Sequence, residues 1–208
     1  HSTPQRIVDL NGVAVFVATT GHGQEIWRSD GTAAGTYLLK DINPGTASSF
    51  PTDLATAGNY VFFNATVPGL GNELWRTDGT AAGTILLRDG IVGDGSGSPV
   101  TIAAFGNHVY FAASDAVNGL ELWRSDGTTA GTALFVNINP GVSGSSVANL
   151  TVGVGALFFS AGQVGSGVEL WRTDGTVVGT AMVENMAIGS ASTIFYGLVG
   201  TPAGVFFA

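Results

Sequence analysis

The chain has no cysteine, a single lysine and few charged residues of any kind. Without cysteine it forms no disulfide, has no thiolate nucleophile and holds no Cys-type zinc site. Charged residues make up 11% of the 208 residues, against a typical ~25%, which leaves little material for long, charge-rich surface helices. Glycine, in contrast, occurs 32 times and clusters between apolar runs, as expected for short strands joined by tight turns. We therefore predict an all-β fold.

The balance of charge excludes several classes of partner. The formal net charge is −8, and four of the six arginines lie in one repeated motif. Because no basic stripe is left to neutralise phosphates, we expect neither a nucleic acid nor an anionic membrane surface as a partner. No apolar run approaches the roughly 18 residues of a spanning helix, so we expect no transmembrane segment. The low lysine content with abundant Gly, Ser and Thr favours an extracytoplasmic location: secreted, periplasmic or at the cell surface.

One phrase, Glu-(Leu/Ile)-Trp-Arg-(Thr/Ser)-Asp-Gly-Thr, occurs four times. With the Gly and Thr that follow it, the phrase occupies residues 25–36, 73–84, 121–132 and 169–180. The tryptophans Trp27, Trp75, Trp123 and Trp171 are therefore 48 residues apart (75−27, 123−75 and 171−123). A constant period of roughly 20–50 residues indicates a repeat architecture.

Each 48-residue unit reads as four short strands. In the second unit the predicted strands cover 51–57, 59–65, 73–76 and 85–89, with a loop over 67–72 and an Asp78-Gly79 hairpin. Apolar residues occupy both faces of these strands, as expected where neighbouring sheets cover both sides. We predict a single domain over 1–208: a β-propeller-like ring of four-stranded antiparallel blades, four repeats and a terminal partial blade.

The partial unit covers 193–208 and ends on an apolar strand at 205–208. An exposed strand edge of this composition invites aggregation. We predict that the strand is paired, either with residues 6–10, which would close the ring, or with another chain.

The recurring residues have structural roles that follow from strand geometry. Each Trp offers ~200 Å² for packing on the adjacent blade. Asp30, Asp78, Asp126 and Asp174 accept hydrogen bonds in their hairpin turns, and glycines such as Gly79 and Gly83 supply turn dihedrals. Since the Glu and the Arg lie on opposite faces of the strand, an ion pair would join neighbouring blades.

The same residue types also suit a sugar site, with an aromatic platform and charged groups that hold hydroxyls. One such site per blade would make a multivalent lectin. Its candidate residues are Trp27, Trp75, Trp123 and Trp171, Arg28, Arg76, Arg124 and Arg172, and Glu25, Glu73, Glu121 and Glu169. Against this hypothesis, the three residues lie in a strand that ought to be packed, whereas binding residues usually lie on loops.

No other pattern predicts a metal site, a cofactor or a catalytic centre. Residues 94–98 resemble half a calcium loop without its remaining acids, and a flexible connector explains them better. His1, His22 and His108 do not have the spacing of metal ligands. No Gly-x-Ser-x-Gly elbow is present, and we expect no enzymatic activity.

The phrase Glu73-Leu74-Trp75-Arg76 followed by Thr-Asp-Gly-Thr resembles the bacterial ELWxxDGT repeat family. The first copy departs from it with Ile26, and the fourth has Val177-Val178 in place of an Ala pair. The resemblance implies a β-propeller and a secreted or surface bacterial protein of unassigned activity, and it supplies no catalytic residues. We expect a non-catalytic extracytoplasmic interaction or scaffold module, such as an accessory subunit of a bacterial envelope assembly, with a protein or glycan partner. The alternatives are the lectin and a piece of a larger secreted repeat protein.

Overall fold

The computed structural model describes residues 2–90, 96–187, 189–195, 197–201 and 204–207. Every regular element in these ranges is a β-strand, and no helix occurs among them. The prediction of an all-β fold is confirmed.

The strands form four four-stranded sheets, here called blades 1 to 4, and one two-stranded sheet, the fifth unit. Blade 1 consists of β1 (Gln5–Leu10), β2 (Val13–Thr20), β3 (Gly23–Ser29) and β4 (Tyr37–Lys40). Blade 2 consists of β5 (Thr52–Ala57), β6 (Tyr60–Val67), β7 (Gly71–Thr77) and β8 (Ile85–Arg88). Blade 3 consists of β9 (Val100–Phe105), β10 (His108–Asp115), β11 (Gly119–Ser125) and β12 (Ala133–Val136). Blade 4 consists of β13 (Ala148–Gly153), β14 (Ala156–Gln163), β15 (Gly167–Thr173) and β16 (Ala181–Glu184). The fifth unit consists of β17 (Leu198–Thr201) and β18 (Gly204–Phe207).

Each blade is an antiparallel meander in which consecutive strands pair in chain order. The first strands of successive units lie next to one another, in the order β1, β5, β9, β13, β17. This radial arrangement of four-stranded sheets is a β-propeller, as predicted. The predicted strands of the second unit are all present, but β6 extends to Val67 and β7 begins at Gly71, so the loop between them is shorter than expected.

Every first strand of blades 1 to 4 contains a β-bulge. The register of β5 against β6 shifts between Thr52 and Ala55, and Asp53 has a φ of 54°. Thr101 and Asn149 occupy the same place in β9 and β13, with φ of 51° and 57°. A positive φ is uncommon outside glycine, and the sequence carries no glycine here that would have predicted these bulges. They bend the innermost strands at the same level in successive blades.

The cores lie between blades rather than within them. We call the side of a blade that faces the preceding blade its leading face, and the opposite side its trailing face. In blade 2 the leading face consists of Leu54, Val61, Phe63, Ala65, Trp75 and Leu86, which pack against blade 1. Equivalent sets from blade 3 (Ile102, Val109, Phe111, Ala113, Trp123, Leu134) and blade 4 (Leu150, Leu157, Phe159, Ala161, Trp171, Met182) pack against the blade before each.

The structure corrects the predicted partner of the last strand. The strand β18 pairs with β17, and β1 pairs with β2, so residues 6–10 do not complete the last sheet. The fifth unit instead rests on blade 4, where a Cβ at Gly153 would meet Val205 Cγ2 at 2.7 Å. Ala208 lies outside the described residues.

Candidate functional site

The motif glutamates lie inside the protein and hold the connectors between blades. Glu121 is fully buried, and its carboxylate accepts hydrogen bonds from the backbone N–H groups of Ile138 and Asn139, both at 3.0 Å, and from the Ser145 hydroxyl at 2.6 Å. The other three blades repeat this arrangement. Glu25 binds Ile42 and Ser49, Glu73 binds Gly90 and Gly97, and Glu169 binds Met186, Ala187 and Thr193.

Each carboxylate therefore ties its strand to both ends of the segment that leads to the next blade. Burial raises the pKa of Glu25 and of Glu73 above the ordinary value of a glutamate, although the hydrogen bonds to each oppose the shift. The second set of partners lies 24 residues after each Glu, at Ser49, Gly97, Ser145 and Thr193. This constant spacing of small residues is a signal in the sequence that could have identified them, although the repeated phrase itself does not contain them.

The motif aspartates form the hairpin turns. Asp78 accepts hydrogen bonds from the N–H of Thr80 at 2.9 Å and from its hydroxyl at 2.6 Å. Partial burial of Asp78 opposes its ionisation, but these hydrogen bonds favour the ionised form and hold the pKa below the ordinary value of an aspartate. The pKa is lowered in the other three blades too, where Asp30, Asp126 and Asp174 bind Thr32, Thr128 and Thr176 in the same way.

The second glycine of the hairpin has a different role from the one we expected. Gly79 does adopt a positive φ, of 85°. Gly83 does not, and it is required because a Cβ there would lie 2.0 Å from an oxygen of Asp78. The glycine leaves room for the carboxylate, and the same close approach recurs at Gly35, Gly131 and Gly179.

Three of the four motif tryptophans are buried in the interfaces between blades. Trp75, Trp123 and Trp171 are 7%, 2% and 7% exposed, whereas Trp27 on blade 1 is half-buried. The preceding blade covers two of these rings with a cation: Lys40 Nζ lies 5.9 Å from the Trp75 ring centre, and Arg88 Cζ lies 4.1 Å from that of Trp123. Neither cation belongs to the repeated motif, but the two lie one period apart (88−40 = 48), at equivalent positions of blades 1 and 2.

The motif arginines lie on the trailing faces. Arg28 and Arg124 donate to the carbonyl oxygens of Gly79 and Gly175 in the hairpin of the following blade, at 3.3 and 3.4 Å. Arg76 donates to Gly83 of its own hairpin and stacks over Tyr60 at 4.1 Å. Arg172 on blade 4 is exposed. Among the described residues, none of these arginines forms an ion pair with a motif Glu, either within a blade or between blades.

The structure therefore does not bring Trp, Arg and Glu together as an open sugar site. The Glu oxygens bind connector backbone, three of the rings are covered by the preceding blade, and the Arg lies on the other face of the sheet. The sequence predicted that Trp, Arg and Glu lie in one packed strand. In the packed strand each of the three side chains contacts a different part of the protein.

Within the described ranges, no three His, Cys, Asp or Glu side chains form a metal-binding group. His22 Nδ1 lies 3.2 Å from Asp41, and His108 packs beside Tyr110. His1 lies outside the described residues, as do Asp94 and Gly95 of the half calcium loop at 94–98. No helix long and apolar enough to span a membrane is found in the part that the structure describes.

Shallow grooves lie among the connectors and on blade 1. One lies among the connectors of blades 3 and 4, beside Asn139, Ser145, Val164 and Ser192. Another lies on the leading face of blade 1, beside Ile7, Val8, Ala14 and Gly31. Neither groove contains the aligned donors and acids of a catalytic centre.

Comparisons with known proteins support the fold. No protein-family model matches the chain, and a search of the curated proteins found no match. Among solved structures, a prolyl endopeptidase matches with a TM-score of 0.58 and 15% identity, over 100% of this chain and 31% of that one. A puromycin-hydrolyzing peptidase from Mycobacterium tuberculosis matches with a TM-score of 0.52 and 12% identity, over 96% of this chain and 34% of that one.

A third similar structure is an uncharacterized protein from Listeria monocytogenes, with a TM-score of 0.53 and 12% identity over 100% of this chain and 61% of that one. The chain spans about a third of the length of the two peptidases, and it matches their propeller domains. At these identities the likeness shows the fold alone: this chain is a β-propeller.

Proposed function

We propose that this propeller is a non-catalytic interaction or scaffold module of the ELWxxDGT repeat type, which acts outside the cytoplasm of a bacterium. The observation that carries the proposal is that the motif residues make their contacts inside the protein. The Glu ties the connector, the Asp ties the hairpin, the Trp fills the interface and, in blades 1 and 3, the Arg binds the following hairpin. The chemistry that recurs from blade to blade thus holds each blade together and joins it to the next.

What remains on the surface varies from blade to blade. The loops between second and third strands differ in sequence, as at His22 in blade 1 and Asn118 in blade 3. Their contacts differ too, since His22 meets Asp41 while Asn118 bonds Asp115 and Asn137. A constant frame with variable loops is the usual design of proteins that recognise other macromolecules. The single lysine and the abundant Gly, Ser and Thr support an extracytoplasmic location.

The likeness to peptidases does not favour a hydrolase. The propeller is the part that matches, and it leaves about two thirds of each peptidase unmatched. Peptidase activity would therefore need residues that this resemblance does not supply.

The experiment is a paired screen of the purified chain. Peptide, ester and glycoside substrates test for turnover, and a glycan array tests for sugar binding. The proposal expects no turnover above that of a boiled sample and no saturable binding to any glycan class. The matched variants are Arg172→Gln, at an exposed motif position, and Arg124→Gln, at a packed one. Saturable sugar binding that both variants lose while still folded would establish the lectin, and reproducible turnover would refute a non-catalytic module.

A further inference from the structure

The joint between blades 1 and 2, here the first joint, and the joint between blades 2 and 3, the second joint, use their cations differently. Lys40 ends β4, and its Nζ donates to the carbonyl oxygen of Thr84 in the hairpin of blade 2, at 2.9 Å. Arg88 ends β8 at the equivalent position. Its guanidinium stacks over Trp123 instead of donating to the carbonyl of Thr132, the residue that corresponds to Thr84.

A pocket of about 340 Å³ lies at the second joint. It is lined by Leu86, Leu87, Arg88 and Asp89 of blade 2 and by Thr129 and Thr132 in the hairpin of blade 3. Three of these residues, Arg88, Asp89 and Thr132, correspond to Lys40, Asp41 and Thr84 at the first joint. The pocket therefore adjoins the place that corresponds to the position of the Lys40 ammonium.

The carboxylate of Asp89 has fewer partners than its counterpart. In both Asp89 and Asp41, Oδ1 is shielded from solvent and accepts no hydrogen bond within the part of the chain that the structure describes. The other oxygen of Asp41 contacts His22 Nδ1 and accepts from the Gly45 N–H, both at 3.2 Å. The residue that corresponds to His22 in blade 2 is Leu70, whose side chain has neither a charge nor a donor. Because a buried carboxylate without a donor is costly, a cation beside Asp89 is favoured.

Acidic groups outnumber basic ones around the pocket. Burial raises the pKa of Glu73, and the negative charge of Asp89 raises it further. Asp115 lies 4.0 Å from Arg88. Three carboxyl groups thus share one guanidinium, which also covers the ring of Trp123. The excess of negative charge at this partly buried place attracts a second cation.

We propose that this pocket binds a primary ammonium group, which donates to the Thr132 carbonyl and pairs with the Asp89 carboxylate. Lys40 shows the mode of binding at the first joint, where an ammonium on a four-carbon stem reaches the hairpin carbonyl of the next blade. A lysine side chain of a partner protein and a small free amine both present this group, with the same donors. The inference does not rest on the proposed function, since an ammonium pocket is compatible with a scaffold, a lectin or an enzyme.

The test is an NMR titration of the ¹⁵N-labelled chain with n-butylammonium chloride at constant ionic strength. We expect saturable shifts of the backbone amides of Arg88, Asp89, Thr129 and Ala133. Tetramethylammonium has the same charge without an N–H donor, and n-butanol has the same stem without a charge, so neither should cause these shifts. Shifts that never saturate, or that tetramethylammonium reproduces, would overturn the proposal, because they would reflect ions around acidic groups in general.

Three variants connect the binding to the pocket residues. Asp89→Asn keeps the shape and removes the charge, so it should weaken binding by roughly tenfold or more. Arg88→Lys gives blade 2 the cation of blade 1, and its ammonium should bind the Thr132 carbonyl and compete with the added amine. Asp41→Asn, at the first joint, is the matched control and should bind like the wild type. Circular dichroism checks that each variant is folded. A folded Asp89→Asn with wild-type affinity would contradict the proposed site.

Two further ligands distinguish the sources of the ammonium group. One is a tripeptide with a central lysine and blocked ends, and the other is the free diamine 1,4-diaminobutane. Tighter binding of the peptide, lost in Asp89→Asn, assigns the pocket to a lysine of a partner protein. Tighter binding of the diamine, lost in the same variant, assigns it to a small amine. The absence of binding by both would overturn the proposal.

Discussion

The hydroxyl of Ser145, in the connector to blade 4, donates a 2.6 Å hydrogen bond to the carboxylate of Glu121, which is buried in blade 3 and lies 24 residues earlier in the chain. The same carboxylate also accepts from the N–H groups of Ile138 and Asn139. One side chain thus fixes the start and the end of a connector, and with it the position of the next blade.

Removing that carboxylate should destabilise the whole propeller. Glu121→Ala leaves two backbone N–H groups and a hydroxyl without their buried acceptor, and we expect it to lower the free energy of unfolding by about 2–4 kcal/mol. Ser145→Ala removes one of the three bonds and should cost about 1 kcal/mol. Urea unfolding followed by far-UV circular dichroism measures both. Equal costs for the two variants would contradict the role of Glu121 as the common acceptor.

The second hairpin glycine should not tolerate even a methyl group. Gly131→Ala would place its Cβ 2.1 Å from an oxygen of Asp126, so the turn must open and lose its hydrogen bonds to Thr128. We expect a loss of about 1–3 kcal/mol in the same unfolding assay. Gly21→Ala is the control, because a Cβ there meets nothing within 4 Å and its φ is not positive. A neutral Gly131→Ala would show that the Asp126 turn adapts at no cost.

The cation over Trp123 should contribute measurably to the joint between blades 2 and 3. Arg88 lies 4.1 Å from the ring centre and 4.0 Å from Asp115 of blade 3. Arg88→Met keeps most of the apolar stem and removes the charge, so we expect a cost of about 0.5–2 kcal/mol. The exposed Arg172 provides the comparison, and Arg172→Met should stay within about 0.5 kcal/mol of the wild type. Similar effects at both positions would argue against a specific contact at Trp123.

Stability should fall on acidification because of the hairpin aspartates. Hydrogen bonds from Thr128, backbone first and then hydroxyl, lower the pKa of Asp126 below the ordinary value of an aspartate. The unfolded chain therefore takes up protons at a higher pH than the folded one. The stability from this group is present above the unfolded pKa and is lost as the pH falls through the folded pKa. Burial raises the pKa values of Glu25 and Glu73. The contribution of these two groups to stability therefore falls as the pH rises above the ordinary pKa of a glutamate.

Urea midpoints at about pH 5 and about pH 3 measure this loss. The variant Asp126→Asn keeps an acceptor for Thr128 and cannot titrate, so its midpoint should fall less over this interval than that of the wild type. An Asp126→Asn profile parallel to the wild-type profile would assign the acid sensitivity to other carboxyls.

The repeat in the sequence predicted the blades because period and turn chemistry are local properties. The 48-residue spacing, the Asp-Gly turns and the runs around Phe63 and Phe111 located the strands to within a few residues. The contacts of Trp123 were harder to predict. Arg88 lies over Trp123 but belongs to a different blade. The pattern of apolar residues within either strand does not indicate which residues of two blades meet. The bulges at Asp53 and Thr101 were not predicted either. Both residues have a positive φ, but neither is the glycine that usually indicates such a backbone conformation.

The motif tryptophans of blades 1 and 3, Trp27 and Trp123, provide the most direct test of whether the motif stabilises the joints between blades. If it does, Trp123→Ala should cost about 3–5 kcal/mol, because its ring is 2% exposed between blades 2 and 3. Trp27→Ala removes a ring that is half-buried on blade 1, so it should cost clearly less. Urea unfolding of both variants gives the answer. Trp123→Ala unfolding like the wild type, or Trp27→Ala costing as much as Trp123→Ala, would contradict the use of the motif in the joints.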